Sequence, residues 1–239
     1  MIWKKTDNFN CKQELVQVVP IGGISIQWES EEMYLLPDKC IYLPSHQALL
    51  IADPHFGKAA HFRKAGIPVP ENVHTNDFLK IQRLLGEFPS KAVYFLGDLF
   101  HSDWNTSWDD LESFLDFFPE TIFHLIKGNH DILPAAIYRS GLWQVHESTL
   151  ILGELYLSHE PLDQIPDGLL NVCGHIHPGV HLRGKGRQNL TAACFFLRRN
   201  QLVMPAFGRF TGLAKMKVQA GDVAYMVAEK KVIAIDFKQ

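Results

Sequence analysis

Five short polar clusters each follow an apolar run. Asp53-Pro54-His55 follows Ala48–Ala52, Gly97-Asp98 follows Ala92–Leu96, and Gly128-Asn129-His130-Asp131 follows Leu125-Ile126. Further along, His159 follows Tyr156-Leu157-Ser158, and Gly174-His175-Ile176-His177 follows Leu169–Cys173. Carboxylates, amides and imidazoles are metal donors, and a mixed O and N set suits Mn²⁺, Fe or Zn²⁺ better than Ca²⁺. The one-residue spacing of His175 and His177 would put both imidazoles on one face of a continuing strand, since side chains alternate with period two. Both would then point at metal. Singly, each cluster has a bland reading: Gly-Asp after a strand is a common turn, Asn-His-Asp a common cap, and a lone histidine a common surface residue. Together, in this order and each at the end of an apolar run, they describe one site.

Such a site needs elements that bring five loops to one edge. Ala48–Ala52 and Ala92–Leu96 are apolar throughout, the pattern of strands covered on both faces, and Thr121–Ile126 reads as a third. Ligands gather at the carboxyl ends of strands in α/β sheets, which is where these loops would converge. Between the strands, Phe78, Ile81, Leu84, Leu85 and Phe88 recur at helical spacing behind Thr75 as N-cap. Trp108, Leu111, Leu115 and Phe118 mark a second helix ended by Pro119, and Pro134–Tyr138 a short third one. Residues 15–47 alternate β-rich runs with the turn signals Gly22-Gly23, Pro37-Asp38 and Pro44-Ser45, which predicts antiparallel strands. After Trp143 come strands in succession: Thr149–Leu152, Glu154–Ser158, Leu169–Cys173, Cys194–Leu197, Leu202–Pro205, Val223–Val227 and Val232–Phe237. Alternation first and strands later predict an α/β fold of two stacked sheets with helices outside. The expected organisation is a single domain over 1–239, with N-terminal strands (15–47), a metal-site core (48–180) and basic C-terminal strands (181–239).

The ordered set D-x-H, G-D, G-N-H-D, H and G-H-x-H, running from about Leu49 to Pro178, resembles the motifs of the calcineurin-like metallophosphoesterases. That resemblance implies a four-layer αββα sandwich of two mixed β-sheets flanked by helices. It also implies a hydrolase that holds two divalent cations about 3.5–4 Å apart to activate water and screen the charge of a phosphate. Carried over position by position, metal one takes Asp53, His55, Asp98 and His177, and metal two takes Asp98, Asn129, His159 and His175. Asp98 then bridges, as a carboxylate can with one oxygen to each cation. Mn²⁺ is the leading cation, with Fe or Zn²⁺ as alternatives. His130 would protonate the leaving group, Asp131 would hold its ring, and His101 would position the phosphate. More narrowly, "GKAAHFRKAGIPVP" (57–70), "LGDLFHS" (96–102), "GHIHPGV" (174–180) and "MPAFGRFTG" (204–212) resemble the bacterial ligase-associated DNA damage response endonucleases. This implies a phosphodiesterase in DNA repair, with DNA as substrate and an ATP-dependent DNA ligase and a helicase as associated proteins. The "GDLFH" loop also resembles that of double-strand-break repair nucleases.

Charge is segregated along the chain. From His181 to Lys217 there are eight basic residues (Arg183, Lys185, Arg187, Arg198, Arg199, Arg209, Lys215, Lys217), and all 26 acidic residues lie elsewhere in a chain of net charge −3. A second acid-free window, Pro54 to Pro70, holds Lys58, Arg63 and Lys64, whereas Ala92–Ile126 has no Lys or Arg. Segregation of this kind aims a field at an anion, and Arg183, Lys185 and Arg187 are the candidate contacts to flanking phosphates. The opposed reading is an ordinary solvated basic hairpin. The substrate classes left open are a nucleic acid strand and a small cyclic or dinucleotide diester. A non-catalytic scaffold is disfavoured because every motif position is present. No H-E-x-x-H, P-loop or G-x-S-x-G occurs. The four scattered cysteines, the absence of a signal-like start and the lack of any membrane-length apolar stretch predict a cytoplasmic protein without a membrane partner.

Overall fold

The structure is a computed structural model that describes residues 22–58, 73–100, 106–139, 141–184, 189–208 and 211–237, with the side chains of 73–75, 139 and 183 left aside. Its first sheet begins as an antiparallel meander of β1 (Ile24–Trp28), β2 (Glu31–Leu35), β3 (Cys40–Leu43) and β4 (Ala48–Ala52). It continues in parallel through β5 (Ala92–Leu96), β6 (Ile122–Ile126) and β7 (Trp143–His146). Helix α1 (Val73–Glu87) connects β4 to β5, and α2 (Thr106–Leu115) connects β5 to β6.

The continuous apolar runs have a plain cause. Leu49, Ile51, Val93, Phe95, Phe123 and Leu125 face α1 and α2, where Ile81, Leu84, Trp108, Leu111 and Leu115 cover them. Their neighbours Ala48, Leu50, Ala52, Tyr94, Leu96 and Ile126 face a second sheet. Both faces of the parallel strands are therefore dry, and polar alternation is lost.

The second sheet contains β8 (Thr149–Leu152), β9 (Leu155–Ser158), β10 (Leu170–Cys173), β11 (Pro178–Arg183), β12 (Asn189–Arg198), β13 (Gln201–Val203), β14 (Ala214–Lys215), β15 (Val223–Ala228) and β16 (Lys231–Asp236). It too is mixed: β10 is parallel to β9 and β13, whereas β12 is antiparallel to β11, β13 and β15. Its central strands are likewise covered on both faces. Leu157, Val172, Phe195, Leu202 and Tyr225 pack inward on the first sheet, while Cys173, Cys194, Phe196, Val203 and Met226 close a separate cluster on the far face. The architecture is the expected α/β sandwich of two mixed sheets, and both described helices lie on the outer face of the first sheet.

Several local expectations change. Helix α1 begins at Val73, so Thr75 lies inside it and is not its cap. Helix α2 stops at Leu115, short of Phe118, and the expected third helix is a single 3-10 turn at Ile137–Arg139. Strands β7, β11 and the two-residue β14 add to the expected set. The first is only four residues long, with Gln144 exposed between Trp143 and Val145. The second begins at Pro178, a strand's first position, where a missing N–H is tolerated. Among the described residues, no helix is long and apolar enough to cross a membrane.

Candidate metal centre

The polar clusters follow β4, β5, β6, β9 and β10, so the carboxyl ends of strands from both sheets supply them. Their backbones are unusual in a shared way. Asp53, His55, Asp98, His175 and His177 have φ of 51°, 50°, 48°, 66° and 51°, in the left-handed region. The other described non-glycine residues with positive φ (Glu29, Lys39, Gln47, Arg199 and Glu229) all sit in turns between consecutive antiparallel strands. Left-handed backbone costs a residue with a Cβ about 1–3 kcal/mol and persists where surrounding structure imposes it, which is commonly at functional sites. His175 and His177 are thus not on a continuing strand. They lie in the loop between β10 and β11, and each turns through the left-handed region separately.

What imposes this backbone is a network of hydrogen bonds running from loop to loop. His55 N–H donates to Asp98 O at 3.0 Å and Phe56 N–H to Leu99 O at 2.8 Å, extending the β4–β5 pairing past the strands. His175 N–H donates to Asp53 Oδ2 at 2.9 Å, and His130 N–H to Asp98 Oδ1 at 3.0 Å. Each buried carboxylate therefore anchors a loop from a different strand. Two motif glycines make the approach possible. A Cβ on Gly97 would overlap the His159 imidazole, and one on Gly174 would overlap Asp53 Oδ2.

The donor atoms then converge. Asp53 Oδ1 is 3.5 Å from His177 Nε2 and 3.7 Å from His159 Nδ1. Asp98 reaches His159 Nε2 at 3.4 Å through Oδ1 and His55 Nε2 at 3.9 Å through Oδ2. His159 Nδ1 lies 3.0 Å from Leu96 O, a bond that needs the proton on Nδ1 and leaves a lone pair on Nε2 of the neutral ring. That Nε2 faces Asn129 Oδ1 and His175 Nδ1, each at 3.1 Å. Two groups of potential ligand atoms result, Asp53/His55/His177 and Asp53/Asp98/His159, each within 4.8 Å of one another. Asp53 thus falls in both groups, while Asp98 reaches a donor of each.

The residues fit divalent cations on the structure's own terms. Asp53 Oδ1 and His177 Nε2 are buried and have no hydrogen-bond partner. Asp53, Asp98 and His159 are all nearly inaccessible. Buried carboxylates without compensation are expensive, and a cation supplies that compensation.

His130 is exposed beside these donors, its ring centroid 6.0 Å from that of His55. Asp131 is buried, and it binds backbone: Oδ1 accepts from Leu99 and Phe100 N–H at 2.9 and 3.3 Å, and Oδ2 from Gly128 N–H at 2.8 Å. Both oxygens of Asp131 thus hold loop backbone, including that of the loop that carries His130. Burial pushes its carboxyl up to about 6, although the Gly128 and Phe100 N–H groups pull the other way. Lys58, given no site role from sequence, is half-buried and feels Asp98 and Asp53, whose charges oppose the lowering of its pKa by burial. The signal was present in the acid-free window from Pro54 to Pro70. His101, Lys185 and Arg187 lie outside the described residues, as does the side chain of Arg183.

Residues 46–192 match the family described as calcineurin-like phosphoesterase. The chain belongs to that family. It is accordingly a metal-dependent phosphoesterase, a hydrolase. A comparison with curated proteins finds no match. Among solved structures, the chain is similar to the nuclease MPE of Pseudomonas putida, with a TM-score of 0.73 and 27% identity, covering 88% of this chain and 100% of the other.

Proposed function

We propose that this calcineurin-like phosphoesterase is a two-metal phosphodiesterase that cleaves DNA, in a repair context. The carrying observation is the pair of adjoining donor groups, Asp53/His55/His177 and Asp53/Asp98/His159, joined by a shared carboxylate. Asn129 and His175 complete the second group through their contacts with His159. When bound, two such cations, Mn²⁺ foremost and Fe or Zn²⁺ as alternatives, screen the phosphate's charge and activate water. The chain's own residues do the rest. His130, exposed at the mouth, protonates the leaving oxygen, and Asp131 holds it in place by gripping the backbone of two loops. His101 is assigned to the phosphate, and Arg183, Lys185 and Arg187 to the flanking phosphates of a polymer.

Nucleic acid as substrate is supported by the likeness to a nuclease over 88% of the chain and by the acid-free basic segment from His181 to Lys217. The repair setting, with an ATP-dependent DNA ligase and a helicase nearby, rests on the stretches at 57–70, 96–102, 174–180 and 204–212. The test is a substrate panel with Mn²⁺ present: single-stranded, duplex and nicked DNA, RNA, cyclic nucleotides and bis-p-nitrophenyl phosphate. Cleavage of DNA in preference to cyclic nucleotides is expected. Turnover of cyclic nucleotides alone would overturn the polymer assignment, and no turnover of any diester would favour a scaffold.

A further inference from the structure

The segment Met204–Gly208, part of the "MPAFGRFTG" stretch, leaves β13 and crosses from one sheet to the other directly behind the metal centre. Met204 N–H donates to Cys173 O at 2.7 Å, the last residue of β10 before the His175/His177 loop. Phe207 N–H then donates to Ala52 O at 2.8 Å, and Gly208 N–H to Asp53 O at 3.3 Å. The strap therefore ties the loop that carries Asp53 and His55 to the loop that carries His175 and His177. It fits closely, since a Cβ on Gly208 would overlap Pro54 O.

One side chain closes the strap from outside. Lys80 of α1 donates through Nζ to Phe207 O at 3.1 Å, and the same Nζ lies 3.3 Å from the centroid of the fully buried Phe207 ring. A helix lysine aimed inward at a carbonyl and an aromatic face has given up much of its hydration, and burial accordingly lowers it to about 8. The titratable groups around it are Asp77, with Oδ1 at 4.0 Å, then the Cys40 thiol, Lys39 and Asp38.

We propose that Lys80 is a positioning residue for the metal centre, holding the Phe207–Gly208 strap so that Asp53 is kept in register with His177. The inference rests on reading Asp53 as a metal ligand. Groups that orient metal ligands from behind typically alter metal affinity by about 10–100-fold when removed, and Lys80 acts through the intervening Phe207–Gly208 peptide, so the lower figure applies.

The test is Mn²⁺ titration of wild type, Lys80→Met, Lys80→Gln and Lys80→Arg, followed by calorimetry well below the melting temperature. Lys80→Met should weaken the site that contains Asp53, His55 and His177 about tenfold, with a smaller effect on the other. Lys80→Arg should restore most of the affinity by keeping the charge. Lys80→Gln, which keeps an N–H for the Phe207 carbonyl, guards against misfolding of the methionine variant and should lie between. Amide exchange at Phe207 and Gly208, measured without metal, should quicken in Lys80→Met. No weakening at either site, or unchanged exchange, would overturn the positioning role. If wild type takes up no Mn²⁺ while exchange at Phe207 and Gly208 still quickens in Lys80→Met, the metal assignment is overturned and only a structural strap is left.

Discussion

Gly97 separates β5 from Asp98, and replacing it by alanine perturbs the metal centre without removing any ligand. Its φ of +74° lies in the left-handed region, and an added Cβ would run into the His159 ring. That ring cannot withdraw easily, because Nδ1 is bonded to Leu96 O at 3.0 Å and the residue is 3% exposed. The backbone penalty is about 1–2 kcal/mol and overpacking adds about 1–3 kcal/mol, so Gly97→Ala should lose roughly 2–5 kcal/mol. For a chain of this size that is a fall of roughly 4–20 °C in melting temperature. Displacement of His159 should also weaken the cation held with Asp98 more than the one held by His55 and His177. Scanning calorimetry of the metal-free protein reads the first effect, and Mn²⁺ titration reads the second. A variant that melts with wild type and binds both cations with wild-type affinity would refute the close approach on which the site's geometry depends.

His130→Ala should keep both cations and lose roughly 10²–10⁴ in rate on DNA, with a smaller loss on bis-p-nitrophenyl phosphate, whose leaving group needs little protonation; equal losses on both would remove His130 from the acid role. A triple Arg183/Lys185/Arg187→Glu variant should cripple binding of long DNA while sparing hydrolysis of a small diester. Removing one phosphate-binding cation should lower the magnitude of the log K against log salt slope by about 0.7 for single strands or 0.9 for duplex, and equal effects on both substrates would count against a nucleic-acid track. His124, whose ring nitrogen lies 3.1 Å from that of His146, is lowered from 6.5 to about 4 by burial and by that neighbour. Because its folded-state value lies below the unfolded one, its contribution to stability is complete above pH 6.5 and is lost as pH falls toward 4. His124→Gln should therefore flatten the rise of melting temperature with pH across that window, and an unchanged slope would refute the assignment.

The parts of the fold legible in sequence are those where one physical cause acts alone. Ala48–Ala52 and Ala92–Leu96 read as strands because covering both faces removes every polar residue between Ala48 and Ala52 and between Ala92 and Leu96 apart from the Tyr94 hydroxyl. The placement of the candidate donors was legible as well, since Asp53, Asp98, Asn129 and His159 each sit within a few residues of a strand end. What escaped depends on long-range contacts. The left-handed backbone of His175 and His177 is imposed in part by the bond from His175 N–H to Asp53, 122 residues away, and sequence spacing alone favours a continuing strand. Strand β7 forms because β6 offers it a paired edge and the Trp108 ring stacks on Trp143. Lys80 was invisible for the same reason: its partner, Phe207, is 127 residues distant.

The central proposal is that two cations sit side by side at the ends of β4, β5, β6, β9 and β10. Anomalous diffraction at the manganese edge, from crystals grown with Mn²⁺, tests it most directly. Two peaks are predicted, one against Asp53, His55 and His177 and one against Asp98, Asn129, His159 and His175. A single peak, or peaks away from Asp53 and Asp98, would contradict the account.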